Sequence, residues 1–183
     1  MLMMAMTVRR INPLGESELS RVEASLGVSI PEGYRNFLLA TDGGKPVDYM
    51  VTPKLGVTKF LGARQIAEHR KRLRGRIPET VLPIADAAGG NRVCISIAPD
   101  EVGAIYLWDH ELEPSGAEKA PERIAASFDD FVAQLRVLSR EDLGPSRVIS
   151  VEIDPEFLKM VREQEAQEDS LPTLRWPKET AEP

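Results

Sequence analysis

Asp109, His110 and Glu111 stand side by side, two carboxylates around an imidazole. Groups of this kind hold divalent metals or move protons, provided that further ligands or a nucleophile converge on them. The one other histidine, His69, falls in a separate predicted element, and no motif marks a nucleophile. The tripeptide therefore reads as a polar strand end facing water, with a metal-assisted hydrolase using Asp109, His110 or Asp86 as the rival that elemental analysis would test. Two glycine-rich stretches, Asp42-Gly43-Gly44 and Asp86-Ala87-Ala88-Gly89-Gly90, could offer backbone N–H groups to an anion. No Lys-Ser/Thr follows the first, and no strand leads into a G-x-G-x-x-G pattern at the second, so both read as turns.

The run HRKRLRGR, His69 to Arg76, has the clustered cations that phosphate contacts need. No aromatic residues interleave with it, and the chain has a pI of about 5.1. It reads as the solvated face of a helix, and no nucleic-acid partner is expected. Cys94 is the single cysteine and lies in an apolar run, which excludes a disulfide framework or a thiolate zinc site within one chain. It is expected to be buried and inert. No cofactor is implied.

Several elements must position these groups. Ser17 reads as the N-cap of a helix carrying Leu19, Val22 and Leu26 and stopped by Gly27. Pro31 and Glu32 suit the first turn of a second helix, with Tyr34, Phe37, Leu38 and Thr41 at i, i+3, i+4 and i+7. Gly43 and Gly44 end that helix, and Asp42 can bond nearby backbone N–H groups. One strand is expected near Leu55 to Leu61 and a helix from Ala63 to Leu73. Val81 to Ala85 is a short apolar run, followed by a turn at residues 86–91. Val93, Ile95 and Ile97 alternate as in a strand, Pro99 to Gly103 turns the chain, and Ala104 to Trp108 returns with Ile105 and Leu107 on one face. Ser127 caps a helix with the apolar stripe Phe128, Phe131, Val132, Leu135 and Leu138. Beyond it come an alternating run at Ile149, Val151 and Ile153, a helix starting at Asp154-Pro155-Glu156, and an irregular tail. Helices at the ends around consecutive strands indicate an α+β domain with a mostly antiparallel sheet.

The chain of 183 residues, 42% hydrophobic, suits one domain plus an appendage. Of the net charge of −6, residues 139–183 hold −5, from 6 Lys/Arg and 11 Asp/Glu. Any attraction of a basic partner by net acidity therefore concerns that segment first. The start, MLMMAMTVRR, has no basic leader before its apolar residues and does not read as a signal peptide, and no apolar run is long enough for a membrane span. No membrane association and a cytoplasmic location are expected.

Four blocks, VEASLGVSIPEGYRNFLLATDGG, VLPIADAAGGNRVCISI, GAIYLWDHE and SFDDFVAQL, occur in an order and spacing that resemble the SUKH superfamily, which includes the fungal Smi/Knr cell-wall assembly regulators and many bacterial immunity proteins. The resemblance covers about residues 12–138 and leaves 139–183 as an acidic C-terminal extension of strand, helix and irregular tail. In the family Asn is common where this chain has Asp42, a departure that a turn tolerates. The resemblance implies an α+β fold, no catalytic residues, and for bacterial members neutralisation of a cognate toxin protein, often a nuclease. The alternative it implies is a regulatory scaffold with no enzymatic activity. Acids with an aromatic anchor would suit toxin binding, which points to Asp86, Asp100, Trp108, Asp109 and Glu111, although Trp108 reads equally as a core residue. The acidic helix with Glu163 and Glu165 is either a solubilising face or a dock for a cationic cleft. The oligomeric state is not legible.

Overall fold

The computed structural model describes residues 6–9, 11–47, 50–52, 55–110, 121–137 and 155–176. Among these the order is β1 Met6–Arg9, α1 Glu16–Leu26, α2 Glu32–Thr41, β2 Lys45–Pro46, β3 Met50–Thr52, β4 Leu55–Phe60, α3 Ala63–Arg72, β5 Val81–Ala87, β6 Arg92–Ser96, β7 Ile105–Trp108, β8 Glu122–Ala125, α4 Phe128–Gln134, α5 Pro155–Asp169 and β9 Thr173–Trp176. Strands β3 to β8 form one antiparallel meander in sequence order, and a smaller antiparallel sheet has the order β2-β1-β9. The architecture is α+β, as the sequence pattern implied.

The meander follows from alternation. Val93 pairs with Leu107 and Ile95 with Ile105, so one face of β6 and β7 is branched and apolar. That inner face meets α2 and α4 around an aromatic hub. The rings of Tyr34, Phe37, Phe60 and Phe128 lie with centroids between 5.0 and 6.5 Å apart wherever they pair. The Tyr34 hydroxyl sits 2.6 Å from the Leu61 carbonyl and 2.8 Å from that of Ile84, so one buried proton ties α2 to β5 and to the end of β4. Burial holds its pKa well above the ordinary phenol value.

Some sequence expectations change. Gly15, not Ser17, is the N-cap of α1, its carbonyl accepting from Glu18 and Leu19. Helix α4 ends at Gln134; Leu135 turns extended and Arg136 exchanges backbone hydrogen bonds with Met50. Asp86 and Ala87 belong to β5, so the turn before β6 is confined to residues 88–90. The tail is irregular in expectation, yet residues 173–176 form β9 on β1, and Trp176 packs edge-on to Phe37 at 5.5 Å. Pairing with a strand from the other end of the chain supplies what the local pattern lacks. Leu138 and the run Ile149 to Ile153 lie outside the described residues, as does Glu111.

Candidate functional site

Asp42 shows how the first glycine-rich stretch is used. It takes the left-handed conformation at the end of α2, φ 46°, and its Oδ1 accepts a hydrogen bond from the Ala63 N–H at 2.8 Å. Gly62, the N-cap of α3, has no side chain to do this, so Asp42 caps that helix from a distance. Gln65 Oε1 accepts from the Gly62 N–H at 3.1 Å. A Cβ at Gly43 would come within 2.6 Å of Gly62 N and Phe60 O, which explains the glycine. An open cleft of about 520 Å³ adjoins this junction, lined in part by Asp42, Lys45, Lys59 and Arg64. The helix end facing it is already capped by protein groups, so the turn reading holds.

The outer face of the sheet is different. Register aligns Lys59 on β4 with Asp86 on β5, Asp86 with Arg92 on β6, and Arg92 with Trp108 on β7. Residues far apart in sequence thus form one row across four strands. Arg92 Nε lies 3.3 Å from Asp86 Oδ1 and His69 Nδ1, from α3, lies 3.9 Å from the same oxygen. These three atoms are sealed from solvent; Arg92 and Asp86 attract as opposite charges without the alignment of a hydrogen bond, and the His69 contact is ionic only when the imidazole is protonated. Desolvation lowers the His69 pKa; the Asp86 carboxylate opposes this, while Arg72, Arg92 and Lys59 reinforce it. Asp86 is therefore an acid ringed by cations, not a bare negative site.

Trp108 is only 5% exposed. It packs with Leu73, Ile77, Val81 and Cys94 in a second apolar cluster on this outer face. The Arg76 guanidinium covers its ring at 5.5 Å from the centroid. Of the two readings of Trp108, the structure supports the core one, and Arg76 is the group that meets water there. The basic run His69 to Arg76 thus serves its own fold, because Leu73 and Ile77 seal the sheet while the cations ring the sealed patch. Cys94 beneath is fully buried, its thiol pushed up to about 12 by desolvation, hence inert.

Asp109 and His110 continue from Trp108 at the same sheet end. The His110 backbone N–H donates to Asn91 Oδ1 at 3.2 Å, its ring Nδ1 is 3.1 Å from the same oxygen, and the ring lies over Gly90, where a Cβ would approach to 3.1 Å. Asp100 is elsewhere. It is exposed in the β6–β7 turn, four strand residues away, or about 13 Å at strand rise. The turn's neighbour Glu101 accepts from the Tyr106 hydroxyl and lies 3.8 Å from Arg123. The structure therefore brings Asp86, Trp108 and Asp109 to one end of the sheet and leaves Asp100 at the other. Sequence reasoning does not gather Lys59, His69, Arg76 and Arg92 into a group. The one signal available is strand parity, which puts Arg92 and Cys94 opposite the apolar face.

No group of three or more His, Cys, Asp or Glu that could hold a metal occurs among the described residues. Nor, among them, is any helix long and apolar enough to cross a membrane.

The described residues thus form a curled antiparallel sheet with paired helices over one face and charged side chains on the other. Residues 13–134 match the SMI1 / KNR4 family (SUKH-1), and the chain belongs to it. It is also similar to the SPbeta prophage-derived uncharacterized protein YokK of Bacillus subtilis (strain 168), at 38% identity over 87 residues. That match covers 45% of this chain and 41% of the relative, so it spans under half of either protein.

Proposed function

We propose that this chain is an immunity protein, not an enzyme, which binds a cognate toxin protein and holds it inactive. Membership of the SMI1 / KNR4 family over residues 13–134 is the observation that carries the reading. The prophage origin of one relative accords with it, because a mobile element gains by carrying protection against a toxin. A cytoplasmic location follows from the same role. Affinity would come from surface complementarity, with charge setting the association rate and a few anchors the dissociation rate.

The partner surface we assign is the outer end of the sheet with Asp86, Trp108 and Asp109, extended by Asp100 on the hairpin turn, and we include Glu111, two residues on from Asp109 in sequence. Trp108 would act there through Arg76, which it supports from below. The row Lys59, Asp86, Arg92 offers alternating charge on a rigid sheet, a pattern that discriminates between partners better than it adds affinity.

The test is capture of partners from native host extract by the purified full-length chain, with bound proteins identified by mass. A single stoichiometric toxin-domain partner supports the proposal. Several substoichiometric housekeeping partners would instead favour a regulatory scaffold.

A further inference from the structure

Helix α5 carries Phe157, Leu158 and Met160 at 53%, 38% and 54% exposure. Phe157 and Met160 are one turn apart, so they form a stripe. Three large apolar side chains on one exposed helix mark a docking face. Glu163, exposed one turn beyond Met160, continues the stripe with an acid, while Lys159, Arg162 and Glu165 lie on other sides of the helix.

A groove of about 550 Å³ between α1, α3 and the chain leading into β5 has the complementary character. Leu26, Ala67 and Ile77 line it, and Arg70, Lys71 and Arg74 stand around it. Arg70 donates to the carbonyls of Leu26 at 3.1 Å and Glu79 at 3.3 Å, acceptors that fix the guanidinium without cancelling its charge. Arg74 is 3.9 Å from Glu79, with both side chains largely in water, so that pair is weak and readily replaced.

We propose that α5 of one copy seats in this groove of a second copy, Phe157 and Met160 on its apolar lining and Glu163, one turn beyond Met160, against Lys71 and Arg74. Both halves of the match are present in every chain, and the exposure of the stripe shows that a chain's own α5 does not fill its groove. Because each copy supplies one helix and one groove, reciprocal exchange closes as a two-fold dimer, whereas one-way seating runs on into a chain. The inference stands independently of toxin binding.

Sedimentation equilibrium of the full chain from low micromolar to near-millimolar concentration, at low salt, is the test. Wild type is expected to self-associate. K71E/R74E and E163K should each weaken self-association by about tenfold or more, and E165K, on another side of the helix, much less. An equimolar mixture of K71E/R74E and E163K should recover association, since the reversed charges match again. F157S/M160S should weaken association without recovery in any mixture. All the substituted side chains on α5 and in K71E/R74E are exposed or line an open groove, and far-UV circular dichroism confirms that each variant folds. A wild type that stays monomeric across the range, or charge reversals that leave association unchanged and show no recovery on mixing, would overturn the proposal.

Discussion

The two faces of the meander sheet are built on opposite terms. The inner face is continuous apolar packing around four mutually touching rings, with the buried hydroxyls of Tyr34 and Thr41 donating to backbone carbonyls. The outer face has a small apolar patch around Trp108, and beside it a row of charges whose buried atoms face each other without aligned hydrogen bonds. Close packing gives a single stable arrangement, and on the inner face the Trp176 indole N–H is the buried side-chain polar atom left without a hydrogen-bond partner among the described residues. Imperfectly matched charges near a surface contribute little to stability and are retained where something else uses them. One face folds the chain, and the other carries the surface proposed above for a partner.

Truncation on each face should separate the two most sharply. Phe37 is fully buried against Tyr34, Phe60, Phe128 and Trp176, so Phe37→Ala is expected to cost about 3–5 kcal/mol in chemical denaturation. Arg76→Ala, which uncovers Trp108, should cost no more than about 1 kcal/mol. Equal losses would end the division. Next in size is Tyr34→Phe, which leaves two buried carbonyls without their shared donor and should cost about 1–3 kcal/mol by the same measurement. Asp42→Ala removes the remote cap of α3 and should cost about 0.5–2 kcal/mol, whereas Asp42→Asn keeps an acceptor oxygen and tolerance of left-handed backbone and should lose much less.

The smallest effect belongs to the outer face. Because the folded-state pKa of His69 is lowered, the unfolded chain binds more protons below the ordinary histidine value of 6.5. The stability contributed by the neutral imidazole is complete above that value and declines as pH falls toward the folded pKa. Denaturation midpoints of wild type should therefore fall more steeply as pH drops below about 6.5 than those of His69→Gln. Parallel curves would show that His69 is not desolvated as its neighbours suggest.

Much of the inner face is legible in sequence, since Val93, Ile95, Ile105 and Leu107 declare a hairpin through alternation and Tyr34, Phe37 and Leu38 a helix through spacing. Strands β1 and β9 are not, because four-residue strands from opposite ends of the chain carry no local signal and form through each other. The outer face is legible only in part. Asp86, Trp108 and Asp109 draw notice one by one for their side chains, but the glycines after Asp86 make it read as a turn residue, and Trp108 reads equally as core or anchor. The cover that decides the matter for Trp108, Arg76 over its ring, is a tertiary contact between a loop and a strand that no window of sequence contains.

On the function proposed above, the outer sheet end reads a cognate toxin. The direct measurement is the dissociation rate of the captured partner from variants of reversed charge at Asp86, Asp100, Asp109 and Glu111, and from Arg76→Glu, each checked for unchanged thermal stability. Faster dissociation for the variants at Asp86, Asp109, Glu111 and Arg76, with a smaller change at Asp100, is the predicted result; identical kinetics at all five would contradict the assignment.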